Sequence, residues 1–330
     1  DYYIRETTNM LTRSKTLPAV LGTGEPLENA ADLRTKGWEL SLAWYDEAKV
    51  AGKPFTYDLR FILSDYTAEI TRFDNPNQFL GDYYEGQTFG EIWGFETLGF
   101  FQNEDEIASH ADQTQLMRQP DKIVPGDLKF ADLNNDNAIT YGENTAENPG
   151  DRFIIGNTEP RYSYGFNSNI SWNNFNLSFF FQGIGQRDYY PGREASYFWS
   201  VYNRPNNTPL KHIEGNSWTP DNPDAYFPRL KAYIALSSGR ELDARQTRYL
   251  QDASYLRLKN LTFGYTLPST FTEKLGIANF RVYFSGENLW ETTGLIMPVD
   301  PESLYRSHSW GDGSTYPFTR SYSIGLDFSF

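Results

Sequence analysis

Apolar and polar residues alternate with a period of two along stretches of ten residues and more, and this repeats through the chain. That pattern permits little except long two-faced β-strands. The last segment shows it most plainly. Phe318, Tyr322, Ile324, Leu326, Phe328 and Phe330 share one parity, against Thr319, Ser321, Ser323, Gly325, Asp327 and Ser329. Likewise Tyr162, Tyr164, Phe166, Ile170 and Trp172 oppose Ser163, Gly165, Asn167, Asn169 and Ser171. After Asn173-Asn174 the alternation resumes through Phe175, Leu177, Phe179 and Phe181, as in a hairpin with a tight turn.

Two earlier segments behave the same way, Trp38, Leu40, Leu42 and Trp44 in one, Phe55, Tyr57, Leu59, Phe61 and Leu63 in the next. Later, Phe280, Val282 and Phe284 oppose Arg281, Tyr283 and Ser285. Between Ser254 and Thr266 the parity changes, with Leu256 and Leu258 on one side and Leu261, Phe263 and Tyr265 on the other. A bulge near Lys259-Asn260 is predicted there.

An opening strand from Asp1 to about Asn9 brings the expected strands to eight, and their connectors alternate in length. Residues 10–31, 67–160, 188–252 and 291–317 make long connectors, whereas those around residues 46–53, 173–174 and 268–278 are short. An antiparallel meander gathers all the long ones at one end. The expected fold is therefore all-β, a transmembrane antiparallel β-barrel wall with long extracellular loops. The loop 67–160 is too long to be featureless; Thr88 to Phe101 suggests a further strand and Glu104 to His110 a short helix. A second large loop, 189–252, carries Pro205, Pro209, Pro220, Pro223 and Pro228, and Gly22 and Gly24 serve turning in the first connector.

Composition narrows the choice. A net charge of −14 leaves no cationic surplus for nucleic acid. The chain has no Cys, hence no disulfide and no thiolate nucleophile. No run of about 18 apolar residues exists to make a membrane helix, while strands of a barrel escape that test. Aromatic residues make up 17% of the chain although mean hydropathy is only −0.61, as two-faced membrane strands require. The chain opens on Asp1-Tyr2-Tyr3, the start expected of a processed product or a fragment.

One segment has metal-ligand spacing. Asp132, Asn134 and Asp136 occupy positions one, three and five of a calcium-type loop, the Ala138 carbonyl position seven and Glu143 position twelve. Hard oxygen donors without His or Cys suit calcium rather than zinc. Position six is Asn137 in place of Gly, and Asn accepts a left-handed backbone. The alternative is a metal-free loop held by Asx turns. His110, His212 and His308 have no metal spacing, and Glu194, Glu214, Asp221 and Asp224 are loop acids that spacing cannot pair for glycoside hydrolysis. No GxSxG or phosphate loop is present. Tyr189, Tyr190, Trp199 and Trp218 are candidates for stacking on a substrate or a protein lid, with packing among the loops as the plainer alternative.

Several stretches resemble the C-terminal part of a TonB-dependent outer-membrane transporter of the SusC/RagA type, found in Bacteroidetes. Pro125 to Asp136 looks like that family's calcium-like loop signature, and Ile155-Gly156-Asn157-Thr158-Glu159-Pro160-Arg161-Tyr162 like its entry into a membrane strand. Tyr255 to Tyr265, Asn288-Leu289-Trp290 and the terminal Phe330 continue the likeness, which covers residues 1–330.

The resemblance implies that these are the last eight strands of a 22-stranded barrel in the outer membrane of a Gram-negative cell. It also implies a remaining barrel and plug fragment, a TonB-contacting segment in that missing part, and a SusD-like surface lipoprotein as lid. The substrate would be a glycan or an oligopeptide, imported without covalent chemistry. Trp38, Trp44, Trp172 and Trp290 would then sit in interfacial belts near strand ends. Two other classes remain open: a soluble all-β carbohydrate-binding or glycoside-hydrolase domain, whose strands would close around an apolar core, and a scaffold whose loops grip a surface lipoprotein.

Overall fold

The computed structural model describes residues 1–13, 20, 22, 24, 26–117, 123–204, 206–231, 233–236, 239–296, 299–304 and 316–330. His308 and Pro205, singled out above, lie outside them. Eight long strands form one antiparallel sheet: β1 (Tyr2–Arg13), β2 (Leu27–Val50), β3 (Lys53–Arg72), β8 (Arg161–Trp172), β9 (Phe175–Gln186), β12 (Tyr255–Thr266), β13 (Asn279–Thr293) and β14 (Ser321–Ser329). They lie side by side in chain order, an uninterrupted meander. The short strands belong to the connectors. β4 (Glu91–Phe95) pairs with β7 (Arg152–Asn157), β5 (Thr97–Phe100) with β6 (Leu128–Phe130), and β10 (Asp188–Tyr189) with β11 (Gln251–Asp252).

Register carries the alternation across the whole sheet. Leu42, Phe61, Phe166, Phe181, Leu258 and Trp290 form one apolar row, strand to strand. Leu177, Phe263, Phe284 and Ile324 form another. On the opposite face Arg60 meets Asn167, Thr262 lies between Ser178 and Ser285, and Arg281 meets Asp327. The predicted bulge is present: Leu258 and Asn260 pair with the adjacent Phe181 and Phe180 of β9, so Lys259 is extra against that strand, while against β13 their partners are Trp290 and Glu287. At the β2–β3 turn Ala51 and Gly52 are both left-handed, with φ of 50° and 74°, the geometry of a two-residue type I′ hairpin.

The apolar face is not a core. Ile324 is 81% exposed, Trp44 62% and Leu42 56%. A soluble β-sandwich buries such a face against a second sheet. The soluble-domain alternative is therefore corrected: its core is missing from where its strands require one.

Near Trp38 the two faces exchange character. Continuing from Leu42 and Trp38 along the same side of β2, the next residues are Lys36, Arg34 and Asp32, matched by Thr67 and Glu69 on β3 and Glu6 on β1. Arg34 Nε lies 2.6 Å from Glu6 Oε1, and Arg72 Nε 2.7 Å from Asp32 Oδ2. At this level Ala31, Ile70 and Phe73 form a small buried cluster, with Met10, Leu33 and Phe89 packed on it. From Trp38 to Ala48 the strand rises about 33 Å. At a barrel tilt near 40° that spans about 25 Å of membrane normal, the height of an outer-membrane apolar band.

This exchange explains where the strands outrun the alternation. β1 ends at Arg13 and β2 begins at Leu27, within the interval 10–31 expected to be loop, and β3 runs to Arg72, past residue 67. Trp38 consequently lies in the middle of β2 and marks the edge of the apolar band rather than the end of a strand. The segment Thr88 to Phe101 makes two short strands, β4 and β5, and α1 (Glu104–Ser109) is the helix expected after it. Its N-cap is Asn103, whose side chain accepts from the Glu106 N–H, with three acidic residues in the first turn.

Candidate functional site

The long connectors share one hydrophobic core beyond the sheet. Phe95, Leu128 and Phe130 come from the β3–β8 connector, Phe198, Phe227 and Tyr249 from the β9–β12 connector, and Val299 and Leu304 from the β13–β14 connector. Hydrogen bonds join the first two. The Phe95 N–H donates to Arg245 O at 2.8 Å, and the Thr97 N–H to Thr247 Oγ1 at 3.0 Å. Arg229 and Lys231 both reach Asp127 Oδ1, at 2.6 and 2.8 Å. Lys231 also pairs with Glu241, whose carboxyl is pushed up by burial. The β13–β14 connector is tied to the sheet, where Arg257 contacts Asp300 at 2.9 Å and Glu302 at 2.8 Å. A platform of loops thus stands at the end of the sheet opposite the short turns.

The four aromatic candidates lie inside this platform. Tyr189, Trp199 and Trp218 are 1%, 0% and 8% exposed. Trp199 Nε1 donates to Pro191 O at 3.1 Å, Trp218 Nε1 to Gln102 Oε1 at 3.2 Å, and the Tyr190 hydroxyl to Ala244 O at 3.0 Å. Tyr189, Trp199 and Trp218 pack loop on loop with their rings covered, and Tyr190 is half-buried. The reason is physical: loops this long stay ordered only by burying their own rings. His110 packs edge-on against Phe101, ring centroids 5.1 Å apart, and burial lowers its pKa. His212 Nε2 is hydrogen-bonded to Phe198 O.

In the calcium-type loop, Asn134 Nδ2 donates to Asp136 Oδ2 at 2.8 Å, and the Ala138 N–H donates to Asp136 Oδ1 at 2.8 Å. The Asn137 N–H donates to Asp132 Oδ2 at 2.9 Å, and Asn137 adopts φ 66°, the left-handed turn expected at position six. Asp132 Oδ1 is buried without a hydrogen-bond partner. Asp132, Asn134, Asp136 and Ala138 are thus drawn into one turn. Glu143 does not join them, because no three acids or histidines converge closely enough to hold a metal among the described residues. Gly142, at φ 55°, redirects the chain, the Glu143 N–H donates to Asn148 O, and Glu143 lines a cleft with Asn75, Phe79 and Glu147. Asp151 closes the loop instead, accepting from the N–H groups of Leu133 (2.9 Å) and Thr140 (2.8 Å).

A cleft of about 650 Å³, which has no signature in the sequence, opens between the two large connectors and the top of β1. Trp93 forms part of its wall, and its Nε1 donates to Glu91 Oε1 at 2.8 Å. The Tyr84 hydroxyl donates to the same oxygen. Tyr83 packs edge-on against Phe73, ring centroids 5.7 Å apart. Arg152 lies over the Tyr141 ring at 4.9 Å and donates to Tyr141 O. Burial lowers the Arg152 pKa, raises the Tyr141 hydroxyl to about 12 and raises the Asp243 carboxyl. Asp243 Oδ2 accepts from the Gly239 N–H at 2.9 Å. A methyl group on Gly94 would lie 2.7 Å from Arg245 O, so only glycine lets the second connector close on β4 beside Trp93. Only spatial neighbourhood links these residues.

No family model matches the chain. The TonB-dependent receptor P3 of Formosa agariphila is 29% identical over the whole chain. The chain is a homologue of TonB-dependent receptors. Receptor P26 of the same organism is 26% identical and the TonB-dependent receptor SusC of Bacteroides thetaiotaomicron 22%, each again over 100% of this chain. The chain spans about a third of the length of these relatives, 32% of both Formosa proteins and 30% of SusC. The RagAB peptide transporter superposes on all of this chain and 32% of its own, with a TM-score of 0.67 at 22% identity; RagAB in the closed-closed state gives 0.65 at 21%. What is shared at that identity is the fold, the wall of a TonB-dependent transporter barrel. The names of these relatives are those of receptors and transporters, not of enzymes.

Proposed function

We propose that this chain supplies part of the wall and outer loop platform of an outer-membrane nutrient importer, driven through TonB by the part of the barrel and plug that it lacks. The observation that carries this reading is the sheet. One face is continuously apolar and exposed, the other polar, and every long connector leaves from the same end. The platform would seat a SusD-like lipoprotein lid, and the cargo would be a glycan or an oligopeptide that passes along the polar face. A detergent-extracted native pull-down with intact-mass analysis tests this. A plug-bearing companion and a lipoprotein are expected to accompany the chain, whereas recovery of a lone detergent-independent species would contradict it.

Calcium in the Asp132 loop belongs to the same reading. The partnerless buried Asp132 Oδ1 fits a cation, with Asp136, Asn134 and the Ala138 carbonyl as further donors. A bound ion would stiffen the turn between β6 and β7. Replacing Asp132 and Asp136 together by Ala should abolish calcium binding in a titration of the intact complex; unchanged binding would sink the assignment.

A further inference from the structure

We propose that residues 299–304 of the β13–β14 connector form a strap inside the barrel, held on the polar face of β12 by a releasable ionic clamp, an assignment that rests on the importer reading, in which that face is the path of the cargo. Arg257 leaves β12 on the polar side, between Leu256 and Leu258 of the apolar side, and pairs across the sheet with Gln182 and Glu291. On a bare sheet this side chain would be open, yet it is 1% exposed.

Groups from the connector cover it. Asp300 Oδ1 lies 2.9 Å from Arg257 Nη2 and Glu302 Oε1 2.8 Å from Nη1, while Glu291 of β13 contacts the same guanidinium. Glu302 also pairs with Lys259 at 3.0 Å. The Phe318 ring lies 5.3 Å from the guanidinium carbon of Arg257 and 4.7 Å from Lys259 Nζ. The Phe318 N–H donates to Asp300 Oδ2 at 3.1 Å, so the two ends of the connector meet on one carboxylate. Leu256, Leu258 and Trp290 flank Arg257 on the apolar face, so the strap reaches down to the level of the apolar band and does not stand wholly above it.

The grip is ionic. Val299 and Leu304 join the strap to the platform core, and Asp300 and Ser303 between them are buried on the clamp. A buried ion pair gains little over apolar packing of the same volume, so it fixes position more than it adds stability. Removing the cation leaves Glu291, Asp300 and Glu302 facing one another, which drives the strap off the wall. The backbone ladder of β12 with β9 and β13 needs none of these side chains.

The test uses the full-length receptor on intact cells, any cysteine in it first replaced by serine, with Ser303→Cys as reporter and a small membrane-impermeant maleimide as probe. Labelling is expected to be slow, and about tenfold or more faster when either Arg257→Gln or the pair Asp300→Asn and Glu302→Gln is added. The pair leaves the wall itself unaltered, and every variant should keep its heat-modifiable migration. A bulky polyethylene-glycol maleimide should label Tyr197→Cys but not Ser303→Cys, even with the clamp broken. Unchanged labelling in both clamp variants, loss of the heat-modifiable form in both, or labelling of Ser303→Cys by the bulky reagent would each overturn the strap. Failure of the small maleimide to label Tyr197→Cys on intact cells would instead remove the importer's orientation; the Ser303→Cys rates, repeated on the receptor in detergent, would still decide the clamp.

Discussion

Trp199 and Gly126 show how single side chains hold the platform. Trp199 is wholly buried, with Phe198 at 4.8 Å and Tyr249 at 5.0 Å edge-on to it. Trp199→Ala should cost the platform about 3–5 kcal/mol. Limited proteolysis of the β9–β12 connector should accelerate sharply while the strands keep their heat-modifiable migration. If Trp199 instead served a ligand, proteolysis would be unchanged. Gly126 adopts φ 88°, and a methyl group there would lie 2.3 Å from the Trp218 ring. Gly126→Ala should cost about 1–3 kcal/mol through backbone strain, visible as a lower unfolding temperature of the loops. At this scale the sequence was only partly legible. The Asx pattern of residues 132–138 could be read because the side chains that form it are neighbours in the chain. The aromatic loop residues looked like a surface because composition cannot tell a ring packed under a loop from a ring on top of it, and Trp93 and Asp243 are brought together by folding alone.

At the scale of elements, parity decides. Below Trp38 the alternation gave each strand its place and faces, and it located the Lys259 bulge, because lipid on one side and polar surroundings on the other enforce a strict period of two. Above Trp38 both faces are wetted or covered by loops, so residues 27–37 and 65–72 lose that constraint and their strand character was not visible. The boundary can be tested directly. Leu42→Arg, in the middle of the band, should destabilise the folded barrel by about 2–4 kcal/mol, and Thr67→Arg, beyond the boundary, by about 0–1 kcal/mol. Urea titration in lipid vesicles reads both; equal costs would mean that the band is misplaced. Deleting Lys259 removes the residue that is extra against β9 and leaves Leu256, Leu258, Leu261, Phe263 and Tyr265 in one unbroken alternation on the apolar face. Assembly should then survive, as judged by retention of the heat-modifiable form; its loss would mean that the bulge itself is required.

For the whole molecule, the sheet ends in two open edges. Among the described residues β1 pairs only with β2 and β14 only with β13. Long unpaired edges within a membrane leave backbone groups unsatisfied, so this wall calls for further strands. That agrees with a chain spanning 32% of its relatives. The orientation of the wall, with the loop platform outside and the short turns in the periplasm, is the claim on which lid, strap and import all depend. These 330 residues contain no cysteine and add no background of their own to single-cysteine labelling; any cysteine elsewhere in the receptor is first replaced by serine. The decisive measurement is labelling of intact cells with a membrane-impermeant maleimide, using full-length receptors carrying Tyr197→Cys in the platform or Phe271→Cys in the β12–β13 turn, both of which are exposed. The account predicts labelling of the Tyr197 variant on intact cells and of the Phe271 variant only after the outer membrane is permeabilised. The reverse pattern, or equal labelling of both before permeabilisation, would contradict it.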